Sequence, residues 1–398
     1  MNAAVRSAAL LLVIAYLGFI SLGLPDAVAG VAWPHLRGDF RLSQSAFGGL
    51  FLAGGLGYFF SSFFAGRLTQ QLGVGPLLTL SSLLVGVAMI GDSLAPQWIV
   101  LLAFSIVWGL GSGAIDAALN HFVAGAFSAK HVSWLHACYS IGAATGPLLM
   151  TACLTRANSW RLGYAIVGTI MLAMSALFFA TRRKWAGEES TQPEAASGAT
   201  QTEVLREPLV WAQIITFLLY TGLENTVGQW SFTLLTEGRG LGERTAGVFV
   251  FLYYGSIALG RVAFGPIAER VGLDRLVRLS TLAAVIGAAG FAFAPHPVVA
   301  AGGLVVLGLG LASVFPTLMT RTPQRLGARL AAHAIGFQVS AAMLGAAILP
   351  SLTGFAAERW GLEAIGGCDV AIAVALFLIH EGLVRRPPRP TSAVVAQS

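Results

Sequence analysis

Trp108-Gly109-Leu110-Gly111-Ser112-Gly113-Ala114-Ile115-Asp116-Ala117-Ala118-Leu119-Asn120 places a carboxylate inside an apolar run otherwise long enough to cross a bilayer. A charge at mid-membrane depth costs about 3 kcal/mol or more, so such a residue is lodged against a partner or a watery cavity. Asp116 and Asn120 stand four apart and share one helical face. Gly109 and Gly113 repeat that spacing and offer a smooth stripe for close approach by another helix or a ligand. A helix that turns an acid and an amide to one interior face belongs to a polar binding site in a membrane protein.

The composition agrees. The 398-residue chain is 56% hydrophobic and only 11% charged, whereas a soluble domain carries about a quarter charged residues. Its apolar material falls in blocks of about 20 residues without sustained alternation, which predicts helices rather than barrel strands. The net charge of +6 would point to nucleic acid in a soluble chain. Here the charges crowd into short loops, where they set orientation in the bilayer, and no nucleic-acid partner is expected. Cys138, Cys153 and Cys368 lie in apolar runs without disulfide or metal spacing and read as small core hydrophobes. No phosphate loop, nucleophile elbow or H-E-x-x-H motif occurs, so the expectation is no enzyme, no cofactor and no metal. Energy then comes from a gradient, or the protein only equilibrates its solute.

At the N-terminus, Arg6, the run Ser7 to Leu24 and Ala27-Val28-Ala29 imitate a signal peptide. The run continues past Pro25-Asp26 and many spans follow, so it is read as an uncleaved first helix. Apolar blocks predict spans near 7–31, 45–66, 76–95, 97–125, 134–156 and 160–181, then 209–236, 243–268, 275–294, 297–320, 331–357 and 361–384. The fold class is therefore an all-α membrane protein of twelve transmembrane helices in two six-helix pseudo-repeats. Residues 1–181 form the N-terminal bundle, 182–208 a linker, 209–384 the C-terminal bundle and 385–398 a basic, Pro-rich tail. From Glu188 to Pro208 the linker is polar, lacks a hydrophobic period and reads as flexible.

Orientation follows from Lys and Arg. One set of alternate loops carries only Arg37, Arg41, Arg156, Arg161, Arg239, Arg244 and Arg359. Most of the chain's 24 Lys and Arg lie with the termini and the linker, which predicts that these face the cytoplasm from the inner membrane. The halves also repeat, at an offset near 199: Gly66-Arg67-Leu68-Thr69-Gln70-Gln71-Leu72-Gly73 lines up with Gly265-Pro266-Ile267-Ala268-Glu269-Arg270-Val271-Gly272. Gly146 pairs with Gly345, Lys130 with Arg329, and Asp26 falls one residue off opposite Glu224. Paired six-helix repeats around a central site are a transporter architecture.

These residues resemble the major facilitator superfamily. Its G-x-L-A-D-R-x-G-R-[KR] loop, which in that family latches the halves on the cytoplasmic side, is degraded in the first repeat, where Gln70 and Gln71 replace the acid and the arginine. The second copy keeps Gly265, Ala268, Glu269, Arg270, Gly272 and Arg275. The resemblance makes Gly66, Gly73, Gly265, Glu269, Arg270 and Gly272 a gating-loop set. Within the superfamily, three stretches are similar to the fucose permease group of sugar–proton symporters. They are Gly23 to Pro34 with Asp26, Ala114 to Asn120 with Asp where that group carries Glu, and Trp134-Leu135-His136 running on to Gly146-Pro147.

Low dielectric disfavours the charged form of a carboxyl, which suits Asp26 and Asp116 to proton coupling. Each could instead be a polar packing group, and Asp26 could lie near the outer surface. Glu224-Asn225-Thr226-Val227-Gly228-Gln229-Trp230 concentrates hydrogen-bonding capacity in the seventh helix, with Trp230 as a flat face for a sugar ring, or else an interface anchor. Gly222 and Gly228 could loosen that helix. Asn120 and His136 read as neighbours of Asp116, His136 serving either proton relay or a backbone carbonyl, and Tyr253 and Gln338 read as core packing or as second-tier ligand contacts. Arg261, the one basic residue within a span, reads as snorkelling toward the cytoplasm or pairing near Glu269.

The reading that results is a monomeric proton-coupled symporter for a sugar or similar small polar metabolite. Asp26 and Asp116 couple the proton; Asn120, His136, Glu224, Asn225, Gln229, Trp230, Tyr253 and Gln338 hold the solute. Two alternatives stay open. One is a proton-coupled drug or metabolite exporter, since Gly142 to Pro147 loosely resembles an antiporter motif. The other is a non-transporting receptor or assembly factor on the same fold.

Overall fold

The computed structural model describes residues 3–187 and 200–384. Among them the regular structure is entirely helical. The first half comprises α1 (Ala3–Phe40), α2 (Phe47–Leu72), α3 (Val74–Leu94), α4 (Trp98–Ala126), α5 (Ala129–Ala157) and α6 (Trp160–Thr181). The second comprises α7 (Pro208–Thr233), α8 (Glu243–Val271), α9 (Leu273–Ala292), α10 (Pro297–Leu326), α11 (Ala328–Trp360) and α12 (Ala364–Val384).

Eleven of these helices are long and apolar enough to cross a membrane. The exception is α7, equal in length but diluted by Gln213, Glu224, Asn225 and Gln229. Three of those four residues, Glu224, Asn225 and Gln229, line the central cavity. Helix α7 is unbroken from Pro208 to Thr233, contrary to the loosening expected at Gly222 and Gly228. Those glycines serve packing instead, since a side chain there would meet Leu349 or the Tyr254 hydroxyl. The interruption falls in α10, which breaks at Ser313 into Pro297–Ala312 and Val314–Leu326.

Several boundaries differ from the sequence reading by five residues or more, among them the ends of α2 and α10 and the start of α5. Helix α1 runs to Phe40 rather than ending near residue 31, passing through Pro25 and Pro34. Each proline removes one backbone donor and leaves the carbonyl four residues earlier unpaired, a defect that costs little where side chains and neighbouring helices supply partners. The linker is ordered from Thr200, whose hydroxyl caps the helix Gln201–Leu205. Val204 there is buried with Val210, Leu326, Leu330 and Ala334, so this stretch docks on the second half rather than floating. The first part of the linker, Arg182–Gly187, is a short 3-10 helix with Trp185 buried, while residues 188–199 and the tail from residue 385 lie outside the described residues.

The internal repeat is physical. Gly146 on α5 sits 2.6 Å, measured from a built Cβ, from the Leu24 carbonyl of α1, and Gly345 on α11 makes the matching approach to Leu218 of α7. In each half the fifth helix therefore crosses the first at a glycine.

The halves are clasped at the face away from the termini. Arg37 Nη2 donates to Glu237 Oε1 and Gln44 Nε2 to Glu237 Oε2, both at 2.9 Å. His35 Nε2 lies 2.7 Å from Glu243 Oε1, and the Ser45 backbone N–H donates to Glu358 Oε2 at 2.9 Å. Exposed pairs of this kind contribute only about 0.2–1 kcal/mol each, so the apolar seal beneath them carries more of the closure. Trp33 stacks on Phe47 at 4.5 Å between centroids, and Phe47 meets Trp230 edge-on at 5.2 Å; all three are fully buried.

Below that plug α1 and α7 touch backbone to backbone. A methyl built on Gly30 would stand 2.7 Å from both Cα and O of Gln229. Gly30→Val is expected to wedge the two halves apart at this face. Electron–electron distance measurements between spin labels on the α1–α2 and α7–α8 connections should show a longer-distance population in the variant; an unchanged distribution contradicts this account of the closure.

Candidate functional site

The glycine stripe of α4 sets the site's geometry. A side chain at Gly109 would collide with the Gly54 carbonyl of α2, and one at Gly113 would meet the Tyr58 carbonyl at 2.5 Å. With glycine at both positions α2 lies directly against α4, and the Tyr58 hydroxyl donates to Asp116 Oδ2 at 2.7 Å. Asn120, one turn further on, donates to Asp116 Oδ1 at 2.9 Å and to its backbone carbonyl at 3.1 Å. The acid and amide on one face therefore bond each other.

Asp26 follows the same pattern between other helices. Its Oδ2 accepts a short hydrogen bond from the Tyr139 hydroxyl of α5. Its backbone carbonyl accepts from Gln229 Nε2 of α7 at 2.6 Å, a bond between the two halves. Glu224 is the third case: Oε2 accepts from the Tyr220 hydroxyl one turn earlier. Arg261 Nη2 lies 3.2 Å from Glu224 Oε1 and 3.4 Å from Oε2. Through Nη1 the same guanidinium donates to Ser140 Oγ at 2.6 Å and to the His136 carbonyl at 3.3 Å, both on α5. Arg261 thus ties α7 and α8 of the second half to α5 of the first.

These groups surround one cavity of about 260 Å³, within reach of the size of small-molecule sites. Asp26, Asp116, His136, Glu224, Asn225 and Gln229 line it, as the sequence reading requires of a shared site. His136 stands between Phe19 and Phe315, with ring centroids 5.8 and 6.2 Å away. The wall is otherwise mainly apolar, with Phe51, Trp108 and Met343 among its members.

Four of the expected solute contacts stand elsewhere. Asn120 is behind the wall, engaged by Asp116. Trp230 is fully buried in the plug, its ring against Phe47 of the other half and its indole N–H donating to the Pro350 carbonyl at 2.9 Å. Tyr253 is fully buried and donates to the Glu224 backbone carbonyl at 3.0 Å, so it supports the site from behind. Gln338 bonds Gln213 at 2.9 Å and Thr322 at 3.1 Å in a polar seam of the second half.

Arg261 is corrected as well. It neither snorkels nor reaches the α8–α9 loop, because Glu224 is near enough to pair with it inside the bundle. The sequence reading also missed Tyr58, Tyr139, Tyr220 and Asp92, all on the cavity wall. Asp92 carried a signal, since it is an acid in an apolar span like Asp116.

In the gating-loop set, Gly73 and Gly272 adopt left-handed φ of 81° and 86° and turn the chain between helices. Gly66 has open space around it and Arg270 is exposed. Gly265 and the Glu269 side chain lie outside the described residues. Asp274, at the start of α9, is bonded at this corner: its Oδ1 accepts from Arg321 Nε at 2.9 Å and Arg325 Nη2 at 2.7 Å. That cluster joins α9 to α10 within the second half.

Residues 15–350 match the family model described as Major Facilitator Superfamily. The chain belongs to this superfamily. It is a membrane transporter, not an enzyme, and its twelve helices have the superfamily's fold. It is 20% identical over 370 residues to the glucose/mannose transporter GlcP of Bacillus subtilis, covering 91% of each chain. It is 23% identical over 375 residues to the human sodium-dependent glucose transporter 1, covering 84% of this chain and 71% of that one. Among solved structures it is similar to a point mutant of the nucleoside transporter NupG, with TM-score 0.79 and 11% identity over 93% of this chain and 98% of that one. It is also similar to a bacterial homolog of the human lysosomal transporter Spinster in an inward-facing, occupied conformation, with TM-score 0.75 and 14% identity over 94% and 96%.

Removing one partner of a buried ion pair strands the other charge, at a cost of about 3 kcal/mol or more. Arg261→Gln is therefore expected to lower the thermal unfolding midpoint in detergent, and adding Glu224→Gln should recover part of the loss. Equal midpoints for wild type and Arg261→Gln contradict the pairing.

Proposed function

We propose that this transporter is a proton-coupled symporter of the inner membrane that carries a sugar or similar small polar metabolite by alternating access. The observation that carries the reading is the convergence on one cavity of three carboxyls, Asp26, Asp116 and Glu224, each hydrogen-bonded to a tyrosine. Asp26 and Asp116 couple the proton. Glu224, Asn225, Gln229 and His136 meet the solute, and Arg261 holds Glu224 in place. The termini and the linker face the cytoplasm, so the clasp of Arg37 with Glu237 is the periplasmic gate and this conformation faces inward.

Proton uptake can drive rearrangement because the acids bond across helices. Neutralising Asp26 changes what its carboxyl offers Tyr139, next to the carbonyl that receives Gln229 from the other half. Neutralising Asp116 changes the bonds that hold α2 and α4 in register. The glucose transporters among the relatives and the similarity to the fucose permease group support a sugar as solute. A second reading, proton-coupled efflux of amphipathic compounds, is favoured by the aromatic wall of Phe19, Phe51, Trp108 and Phe315. Raised drug susceptibility of a deletion strain, with unaltered sugar uptake, would select it.

In proteoliposomes, Asp116→Asn is expected to abolish solute accumulation driven by a pH gradient while solute exchange persists. Normal accumulation by that variant rejects the coupling role. Asn225, whose Nδ2 donates to the Thr221 carbonyl at 3.0 Å, turns its remaining polar capacity to the cavity. Asn225→Ala should raise the half-saturation concentration about tenfold, the loss of one buried hydrogen bond, with little change in pH dependence.

A further inference from the structure

Three of the four carboxyls on the cavity wall are partnered, and the fourth is not. Asp92 lies near the end of α3, is only 2% exposed, lines the cavity, and has an Oδ1 with no hydrogen-bond partner. Among the described residues no basic nitrogen lies within ion-pair distance of it. Arg161, close by, directs its Nη1 to the carbonyls of Ser93 and Ala95, at 3.1 and 2.9 Å. The same cavity wall carries Met89, Leu101, Ser105, Trp108 and Tyr164. Apart from the Ser105 and Tyr164 hydroxyls these side chains are apolar or aromatic, and the Trp108 indole N–H is likewise without a partner.

A buried acid in such surroundings is costly unless a cation or donor meets it. Aromatic faces beside it add attraction for a cation. The wider balance points the same way, since the wall carries Asp26, Asp92, Asp116 and Glu224 against the single guanidinium of Arg261.

On the reading of this cavity as a solute site, we infer that the wall at Asp92 is a cation subsite. Asp92 receives the ammonium of an amine-bearing, hydroxylated solute whose hydroxyls occupy the central site. The tyrosine-bonded acids face hydroxyl groups, and Asp92 with Trp108 confers the preference for an amine over the matching alcohol.

The probes are D-glucose, D-glucosamine and N-acetyl-D-glucosamine, with binding measured on the purified full chain at a pH where the free amine is charged. Glucosamine should bind about tenfold more tightly than glucose, the scale of one ion pair with aromatic support, and the acetylated sugar should have no such advantage. Asp92→Asn should erase the difference while glucose binding stays within about twofold. Asp92→Glu should keep it, which separates charge from folding. Equal binding of amine and alcohol by the wild-type protein overturns the inference without needing any variant to fold, as does a preference that survives Asp92→Asn. Glucose binding without an amine preference leaves the sugar reading standing and rejects this subsite alone; binding of none of the three rejects both.

Discussion

An ionised carboxyl within the span of the bilayer is costly unless a donor meets it, and three acids of the central cavity find theirs inside the protein. In this transporter the donor is a phenol three times over: Tyr139 for Asp26, Tyr58 for Asp116 and Tyr220 for Glu224. A tyrosine keeps its proton over the working range and carries no charge, so it can serve an acid in either protonation state. A lysine or arginine would hold the acid ionised. The distinction separates Glu224, which has Arg261 beside it, from the two acids of the first half, which do not.

Helix packing follows from the same demand. The phenol of Tyr58 reaches Asp116 only because glycines let α2 lie flat on α4, and the bond from Gln229 to the Asp26 carbonyl needs the close α1–α7 crossing at Gly30. Each polar bond in the core is therefore also a statement about how near two helices stand. Closure at the far face uses a different material. There a buried aromatic plug of Trp33, Phe47 and Trp230 lies under a few half-exposed ionic bonds. The buried rings supply more of that closure than the half-exposed ionic bonds above them.

The fold was legible because the bilayer imposes a length on every span, and loop arginines mark alternate faces. Twelve helices, the break between halves and the repeat of Gly146 as Gly345 all follow from that. The acids were legible as well, since each interrupts an apolar run. Their partners were not, because a tyrosine in a membrane helix is ordinary until the acid it bonds is known. Trp230 escapes a sequence reading for a related reason: its spacing from Glu224 says only that both are on one helix. Which flank of that helix meets the other half is decided by Phe47, nearly two hundred residues away. Arg261 illustrates the limit most clearly. Alone in its span it looks like a snorkelling residue, and only the position of α7 beside α8 reveals that Glu224 is its counter-ion.

The charges on the cavity wall are divided unequally between the halves. On the cavity wall the second half carries Glu224 and Arg261, an internally compensated pair whose charge need not change as the halves rock. The first half carries Asp26, Asp92 and Asp116 with no cation among its own wall residues. The one guanidinium on the wall belongs to the second half, and its Nη1 reaches across to α5. That contact is made at Ser140 and the His136 carbonyl, not at an acid. The wall of the first half is thus left with three acids and no cation of its own, whereas the charges of the second half compensate each other.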